Sequence, residues 1–159
     1  MLQQLVAQLK QVSGLRAIVL GGSYASGSAR PDSDIDIGLY YFEQQPLDIA
    51  HIRSLVNSLN DTPDPVVTDL GGGGPWVNGG AWLTIQGQRV DFLYHNIGFV
   101  SATLDDCNKG IIRSDYWQQP AYGFHSYMYC AETQINQPLY DPDSILEQLK
   151  ADHHHDIGR

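Results

Sequence analysis

The segment from Gly21 to Asp36 holds the residues best suited to chemistry. A Gly-Gly-Ser turn at 21–23 follows an apolar run, and Asp34 and Asp36 stand two residues apart in an alternating run at 34–40. In a strand this spacing puts both carboxylates on one face. Adjacent carboxylates repel each other unless one is protonated or a cation lies between them, and a divalent cation with oxygen ligands suits such a pair. Because a glycine turn can direct its backbone N–H groups at a phosphate, the segment predicts phosphate and metal binding.

Two other known motifs, a phosphate-binding loop and a nucleophile elbow, do not match this segment. Gly22 and Gly27 have the spacing of a Walker phosphate loop, but Ser28 and Ala29 follow where that loop has lysine and serine or threonine. A nucleophile elbow fails as well, since Ala25 occupies the position of its last glycine. The glycine turn is therefore interpreted together with the aspartates.

The run from Gly21 to Asp36 resembles the signature of the nucleotidyltransferase superfamily typified by DNA polymerase beta. That signature is a Gly-Ser turn, a spacer of this length, and Asp-x-Asp on a strand. The run is most similar to the small bacterial members, which include aminoglycoside adenylyltransferases and minimal nucleotidyltransferases. By motif, the resemblance covers roughly residues 15–95.

The resemblance implies a third carboxylate from a neighbouring strand, and Asp91 in Arg89-Val90-Asp91-Phe92 stands at the expected place. Asp34, Asp36 and Asp91 would then be the catalytic residues and would hold two Mg²⁺ ions, which stabilise the attacking and leaving oxygens. The alternative is that Asp91 lies at the end of a hairpin and pairs with Arg89.

The glycine turn is expected to bind the triphosphate. Gly22 permits close approach of the backbone, and Ser23 offers an N–H and a hydroxyl group. Arg30 either reaches a phosphate oxygen or pairs with Asp32 or Asp34, and the sequence favours neither.

Two residues are candidates for the general base that would deprotonate the acceptor hydroxyl. Glu132 has the right chemistry but carries no motif, and a solvated helix face explains it as well. Asp69 is favoured as a structural hydrogen-bond acceptor in a turn.

The elements needed to position these residues follow from periodicity and turn residues. We expect an α+β domain, with a mixed, mostly antiparallel sheet of about five strands flanked by helices; the resembled fold carries its helices on one side. Residues 1–120 would form the nucleotidyltransferase core, and 121–159 a short C-terminal helical extension of the same domain. The predicted helices are 2–12, 24–28, 47–60, 97–108, 123–134 and 143–150, the predicted strands 16–20, 34–41 and 66–70, and the predicted hairpin 81–94, with a loop at 71–76.

Composition narrows the functional classes. The chain has 159 residues and a net charge of −9, which argues against a general nucleic-acid binder. No apolar stretch is long enough to span a membrane, and the N-terminus lacks the pattern of a signal peptide. Cys107 and Cys130 do not form a disulfide framework, so we expect both to be reduced and the protein to be cytoplasmic.

The resemblance implies an Mg²⁺-dependent nucleotidyltransferase (EC 2.7.7 type) that moves a nucleoside monophosphate, AMP from ATP, onto a hydroxyl acceptor and releases pyrophosphate. The acceptor is either a partner protein or a small molecule. Minimal nucleotidyltransferases of toxin–antitoxin pairs AMPylate a tyrosine of a helical partner, and the short segment after residue 120 favours this antitoxin type. The alternatives are an antibiotic adenylyltransferase of aminoglycoside type and a non-catalytic domain that binds nucleotide or a partner. An uncovered apolar surface would favour a homo-oligomer or a helical partner protein.

Overall fold

The computed structural model describes residues 2–22, 24, 27, 30, 33–63, 65–70, 79–108, 114–115, 124–125 and 137–149. Three helices and eight strands have defined bounds within these ranges, and residues 145–149 form a further helical turn. In chain order they are α1 (Leu2–Leu9), β1 (Ala17–Gly21), β2 (Ile35–Tyr41), α2 (Ile49–Leu59), β3 (Val66–Val67), β4 (Gly80–Ile85), β5 (Gln88–Asn96), α3 (Ile97–Asn108), β6 (Ser114–Asp115), β7 (Phe124–His125) and β8 (Gln137–Tyr140).

Six of these strands form one mixed sheet in the order β3-β4-β5-β2-β1-β8, and β6 and β7 form a separate pair. Within the six-stranded sheet, β2 and β5 pair in parallel, and every other neighbouring pair is antiparallel. The expected α+β class with a mixed, mostly antiparallel sheet is therefore confirmed, with six strands instead of about five.

Alternation along the strands gives the sheet two different faces. Ile37 and Leu39 of β2 lie in a large core cluster with side chains of α1 and α2, while Tyr40 lies in a second cluster with Val100 of α3 and Leu146. Because neighbouring strand residues point to opposite faces, helices cover both faces of this sheet. The one-sided arrangement of the resembled fold is not what this chain adopts.

Local side-chain contacts fix the elements next to the site. Asp48 caps α2 by accepting a hydrogen bond from the backbone N–H of His51 at 3.2 Å. The Asp61 carboxylate accepts from the backbone N–H groups of Gln86 and Gly87, at 2.7 and 2.8 Å. Both turn residues have positive φ, 51° and 82°, as a two-residue hairpin turn requires. The helix before β3 is thus tied to the β4–β5 hairpin.

The C-terminal segment contributes a strand to the main sheet. β8 pairs with β1, and the Asp141 carboxylate accepts the backbone N–H groups of Ile145 and Leu146 at 2.8 and 3.0 Å. The description of 121–159 as a helical extension is therefore wrong for 137–140, because the edge of β1 was available for backbone pairing. The boundary at residue 120 stays a prediction.

The other predicted elements differ from the structure mainly in one element type and in two boundaries. Phe124–His125 is a strand, whereas a helix was predicted over 123–134; the rest of that range lies outside the described residues, as do most of 24–28 and all of 71–76. The helix predicted over 97–108 and the hairpin are confirmed, while the helix at 2–12 ends at Leu9 and the strand at 66–70 ends at Val67. Among the described helices, none has the length and apolar character needed to cross a membrane.

Candidate active site

The parallel pairing of β2 and β5 brings two acidic side chains together. Asp36 and Asp91 are register partners in this pairing, and β2 and β5 are interior strands of the sheet. Register partners lie on adjacent strands about 4.8 Å apart, with side chains on the same face. The two carboxylates therefore meet side by side, on the face opposite the buried Ile37 and Phe92.

Two residues before Asp36 and Asp91 lie a third carboxylate, on Asp34 just ahead of β2, and the guanidinium group of Arg89 in β5. Arg89 Nε is 3.6 Å from Asp34 Oδ1, and the two side chains are 64% and 38% exposed. The alternative that Asp91 pairs with Arg89 is wrong, since the ion pair of Arg89 is with Asp34. Sequence reasoning missed this contact, although the spacing Arg89-x-Asp91 matches Asp34-x-Asp36 and the parallel register aligns the two pairs.

Charge repulsion and burial act on the carboxylates together. Burial, then Asp36 and then Asp34, raise the pKa of Asp91 to about 6, and Arg89 opposes the rise. The pKa of Asp36 is also raised, mainly by burial and then by Asp34. In the described part of the chain, Asp91 Oδ1 is buried with no hydrogen-bond partner. Buried polar atoms normally have a hydrogen-bond partner, and Asp91 Oδ1 lacks one among the described residues.

The carboxylates do not form a ready-made cage for a cation. Among the residues that the structure describes, no three His, Cys, Asp or Glu side chains are grouped so that they could hold a metal ion. Asp36 and Asp91 supply an adjacent pair, while Asp34 is turned toward Arg89. A cation that recruited all three carboxylates would have to draw Asp34 from this ion pair.

The backbone at Gly22 lies directly against the acidic pair. Gly22 has a φ of +62°, and a Cβ atom placed there would lie 2.1 Å from Asp36 Oδ2. Only glycine fits, both for its backbone conformation and for the space beside the carboxylate. The predicted phosphate-binding turn therefore begins next to Asp36, while Ser23 lies outside the described residues.

Arg30 lies in the segment that leads into β2. Its backbone N–H donates to Ser33 Oγ at 2.8 Å, and the Ser33 carbonyl accepts from Gln88 Nε2 at 2.9 Å. These contacts tie the segment before Asp34 to the start of β5. Because Asp34 pairs with Arg89, pairing with Arg30 loses support; Asp32 is outside the described residues, and the phosphate role of Arg30 stays a prediction.

The two candidates for a general base differ in what the structure describes. Asp69 Oδ1 accepts from the guanidinium of Arg53 at 3.0 Å, in an exposed ion pair, which agrees with the expected structural role. Glu132 is outside the described residues.

Farther along β2 and β5, the sheet face that carries Asp36 and Asp91 becomes apolar. Tyr40 and His95 are register partners whose rings lie 4.8 Å apart, and burial lowers the pKa of His95 to about 4. His95 is therefore neutral at physiological pH. His95 therefore adds no positive charge here, whereas the charge of Arg89 lowers the pKa of Asp91.

Comparison with known families gives a match over part of this chain. Residues 3–68 match the family model described as polymerase beta, nucleotidyltransferase. The match spans the glycine turn, Arg30, Asp34 and Asp36, and it ends before Asp91. Comparison with the curated proteins gives no match. The family match supports nucleotidyl transfer as the general activity of a transferase, and over this segment the chain is similar to the polymerase beta-like nucleotidyltransferases.

Proposed function

We propose that this protein is an Mg²⁺-dependent nucleotidyltransferase that moves AMP from ATP onto a hydroxyl acceptor and releases pyrophosphate. The observation that carries the proposal is the register of β2 and β5, which sets Asp36 beside Asp91 with Asp34 two residues away on the same side. The family match supports the general activity, and the acidic cluster supports a metal-dependent form of it.

The donor set fits a magnesium site. Mg²⁺ prefers oxygen ligands and is commonly bound through one or two carboxylates together with phosphate oxygens. The unpartnered Asp91 Oδ1 and the raised pKa values of Asp36 and Asp91 support this proposal, because a bound cation would offset the burial and repulsion that oppose their ionisation. Asp34, Asp36 and Asp91 would hold the two expected ions once Asp34 leaves Arg89.

The residues of the chain would position the reactants. Gly22 leaves room for phosphate oxygens beside Asp36, and Ser23 and Arg30 are the further expected phosphate contacts. Bound magnesium would neutralise the phosphate charge and acidify the acceptor hydroxyl. In the reaction, the acceptor oxygen forms a bond to the α-phosphorus, the bond to the leaving pyrophosphate breaks, and the hydroxyl loses its proton. Such catalysis depends chiefly on positioning and charge stabilisation.

The acceptor half of the reaction has two candidates. A protein hydroxyl, as in AMPylation of a toxin by its antitoxin, is the first candidate. A small cationic acceptor of the aminoglycoside type agrees with the net charge of −9, which would steer cations toward the enzyme. A third interpretation is a non-catalytic domain that binds nucleotide, and the pairing of Asp36 with Asp91 across β2 and β5 argues against it.

Pyrophosphate release in the presence of ATP and Mg²⁺ tests the proposal. The acceptor panel should contain a small helical protein encoded beside this gene and a set of aminoglycosides. Asp36→Asn should lower turnover at least 100-fold, because the metal pair loses a charged ligand. Asp143→Asn, which removes an exposed carboxylate paired with Arg16, is the matched control and should retain activity. Magnesium-dependent ATP binding without transfer to any acceptor would instead support the non-catalytic reading.

A further inference from the structure

Arg89 is a positively charged residue that interacts with two of the three carboxylates, those of Asp34 and Asp91. Its guanidinium pairs with Asp34 and lowers the pKa of Asp91 through its charge. Arg89 and Asp91 alternate with Val90, which is fully buried, so both point away from the core cluster that contains Val90. One guanidinium therefore faces an acidic cluster that outnumbers it.

We propose that Arg89 is a built-in counter-ion, which holds Asp34 in the metal-free protein and gives it up when a divalent cation binds. This inference rests on the proposed function, since it assumes that the carboxylates bind metal. When all four groups are ionised, three carboxylates and one guanidinium leave a charge of −2, which one divalent cation neutralises. Arg89 is thus a positioning residue, because it acts through Asp34.

The geometry of the ion pair suits a contact that must be broken. The distance of 3.6 Å is long for a charge-assisted hydrogen bond, and both side chains are substantially exposed. Exposed pairs of this kind contribute little to stability. A metal ion can therefore displace the guanidinium at small cost, while metal-free Asp34 still has a partner.

The counter-ion also explains why the described residues do not include a group of three metal-ligating side chains. Within the described residues Asp34 is directed to Arg89, and no group of three metal-ligating side chains is found. If the guanidinium and the metal compete for Asp34, removal of the guanidinium should favour the metal. A purely supportive Arg89, which held Asp34 in place for the metal, predicts the opposite change.

Binding of Mn²⁺ to the full-length protein without nucleotide, followed by electron paramagnetic resonance, separates these two cases. Arg89→Gln should bind Mn²⁺ about threefold to fivefold more tightly than the wild type, in keeping with the loss of one exposed competing ion pair. Arg89→Lys retains the charge and should stay within about twofold of the wild type. Arg53→Gln breaks a comparable exposed pair with Asp69 and should not change the affinity.

A thermal melt supplies the second readout. Metal-free Arg89→Gln should have a lower melting temperature than the wild type, and saturating Mn²⁺ should remove that difference. Unchanged or weaker Mn²⁺ binding by Arg89→Gln, with normal binding by the wild type, would overturn the counter-ion role and leave the proposed function intact. No Mn²⁺ binding by the wild type would overturn both.

Discussion

Asp91→Asn tests whether the carboxylates oppose one another in the metal-free protein. Burial, Asp36 and Asp34 raise the pKa of Asp91 from the ordinary 3.8 to about 6. The folded chain therefore binds this proton more tightly than the unfolded chain does. Stability then falls as the pH rises between these two values, and the whole penalty is present at pH 7. Below the unfolded pKa both states are protonated, so the penalty disappears.

The magnitude follows from the same two pKa values. A difference between 3.8 and about 6 corresponds to about 3 kcal/mol. Asp91 is only half-buried, and solvent screening reduces the penalty to about 1–2 kcal/mol. An asparagine carries no charge, and its amide can donate to the neighbouring Asp36. Metal-free Asp91→Asn should thus gain about 1–2 kcal/mol at pH 7, or about 3–6 °C in melting temperature, and almost nothing near pH 4.

Urea unfolding in the presence of EDTA, followed by circular dichroism at pH 4, 5.5 and 7, measures this change. Asp69→Asn is the control, because it removes an exposed carboxylate that lies in an ion pair and should give no such pH-dependent gain. The reasoning is refuted if Asp91→Asn is less stable than the wild type at pH 7, or if its gain is the same at pH 4. Magnesium should stabilise the wild type more than Asp91→Asn, since only the wild type keeps the full donor set.

Two further substitutions test the close approach of Gly22 to Asp36 and the contact of Asp61 with the hairpin turn. Gly22→Ala should lose about 1–3 kcal/mol of stability together with ATP binding, because its φ is +62° and the new Cβ would meet Asp36 Oδ2. Gly27→Ala shares a positive φ but has open space, so thermal melts and ATP titrations that show equal effects would contradict the steric argument. Asp61→Ala leaves the N–H groups of residues 86–87 without their acceptor and should cost about 1–3 kcal/mol in urea unfolding, whereas an unchanged midpoint would show that water replaces the carboxylate.

Local patterns were enough to predict the acidic strand and the hairpin. The alternation of Asp34, Ile35, Asp36 and Ile37 depends only on the period of a strand, and the structure buries both isoleucines. Gln86-Gly87 between two alternating runs is likewise a local turn signal. These features need no knowledge of which strands become neighbours.

The contacts of Arg89 depend on strand partners that the sequence does not reveal. The pair Asp34–Arg89 exists because β2 lies parallel to β5, although 46 residues separate the ends of β2 and the start of β5. β8 was missed for a related reason: its four residues, Gln137–Tyr140, include a proline and are too few to show a period. The pairing of β8 with β1 depends on the tertiary fold, because backbone hydrogen bonds at a sheet edge require no particular side chains.

The position of β2 and β5 in the sheet explains how the chain can hold carboxylates together. β2 is bonded to β1 and β5, and β5 to β2 and β4, so both acidic strands are fixed on both sides. Their opposite face carries Ile37 and Phe92, which are fully buried. Hydrophobic burial and strand pairing thus impose a repulsion that the unfolded chain does not have. A cation that binds only the folded arrangement would recover that energy, and its binding would stabilise the fold by mass action. In this way the proposed metal site and the stability of the central strands are properties of the same contacts.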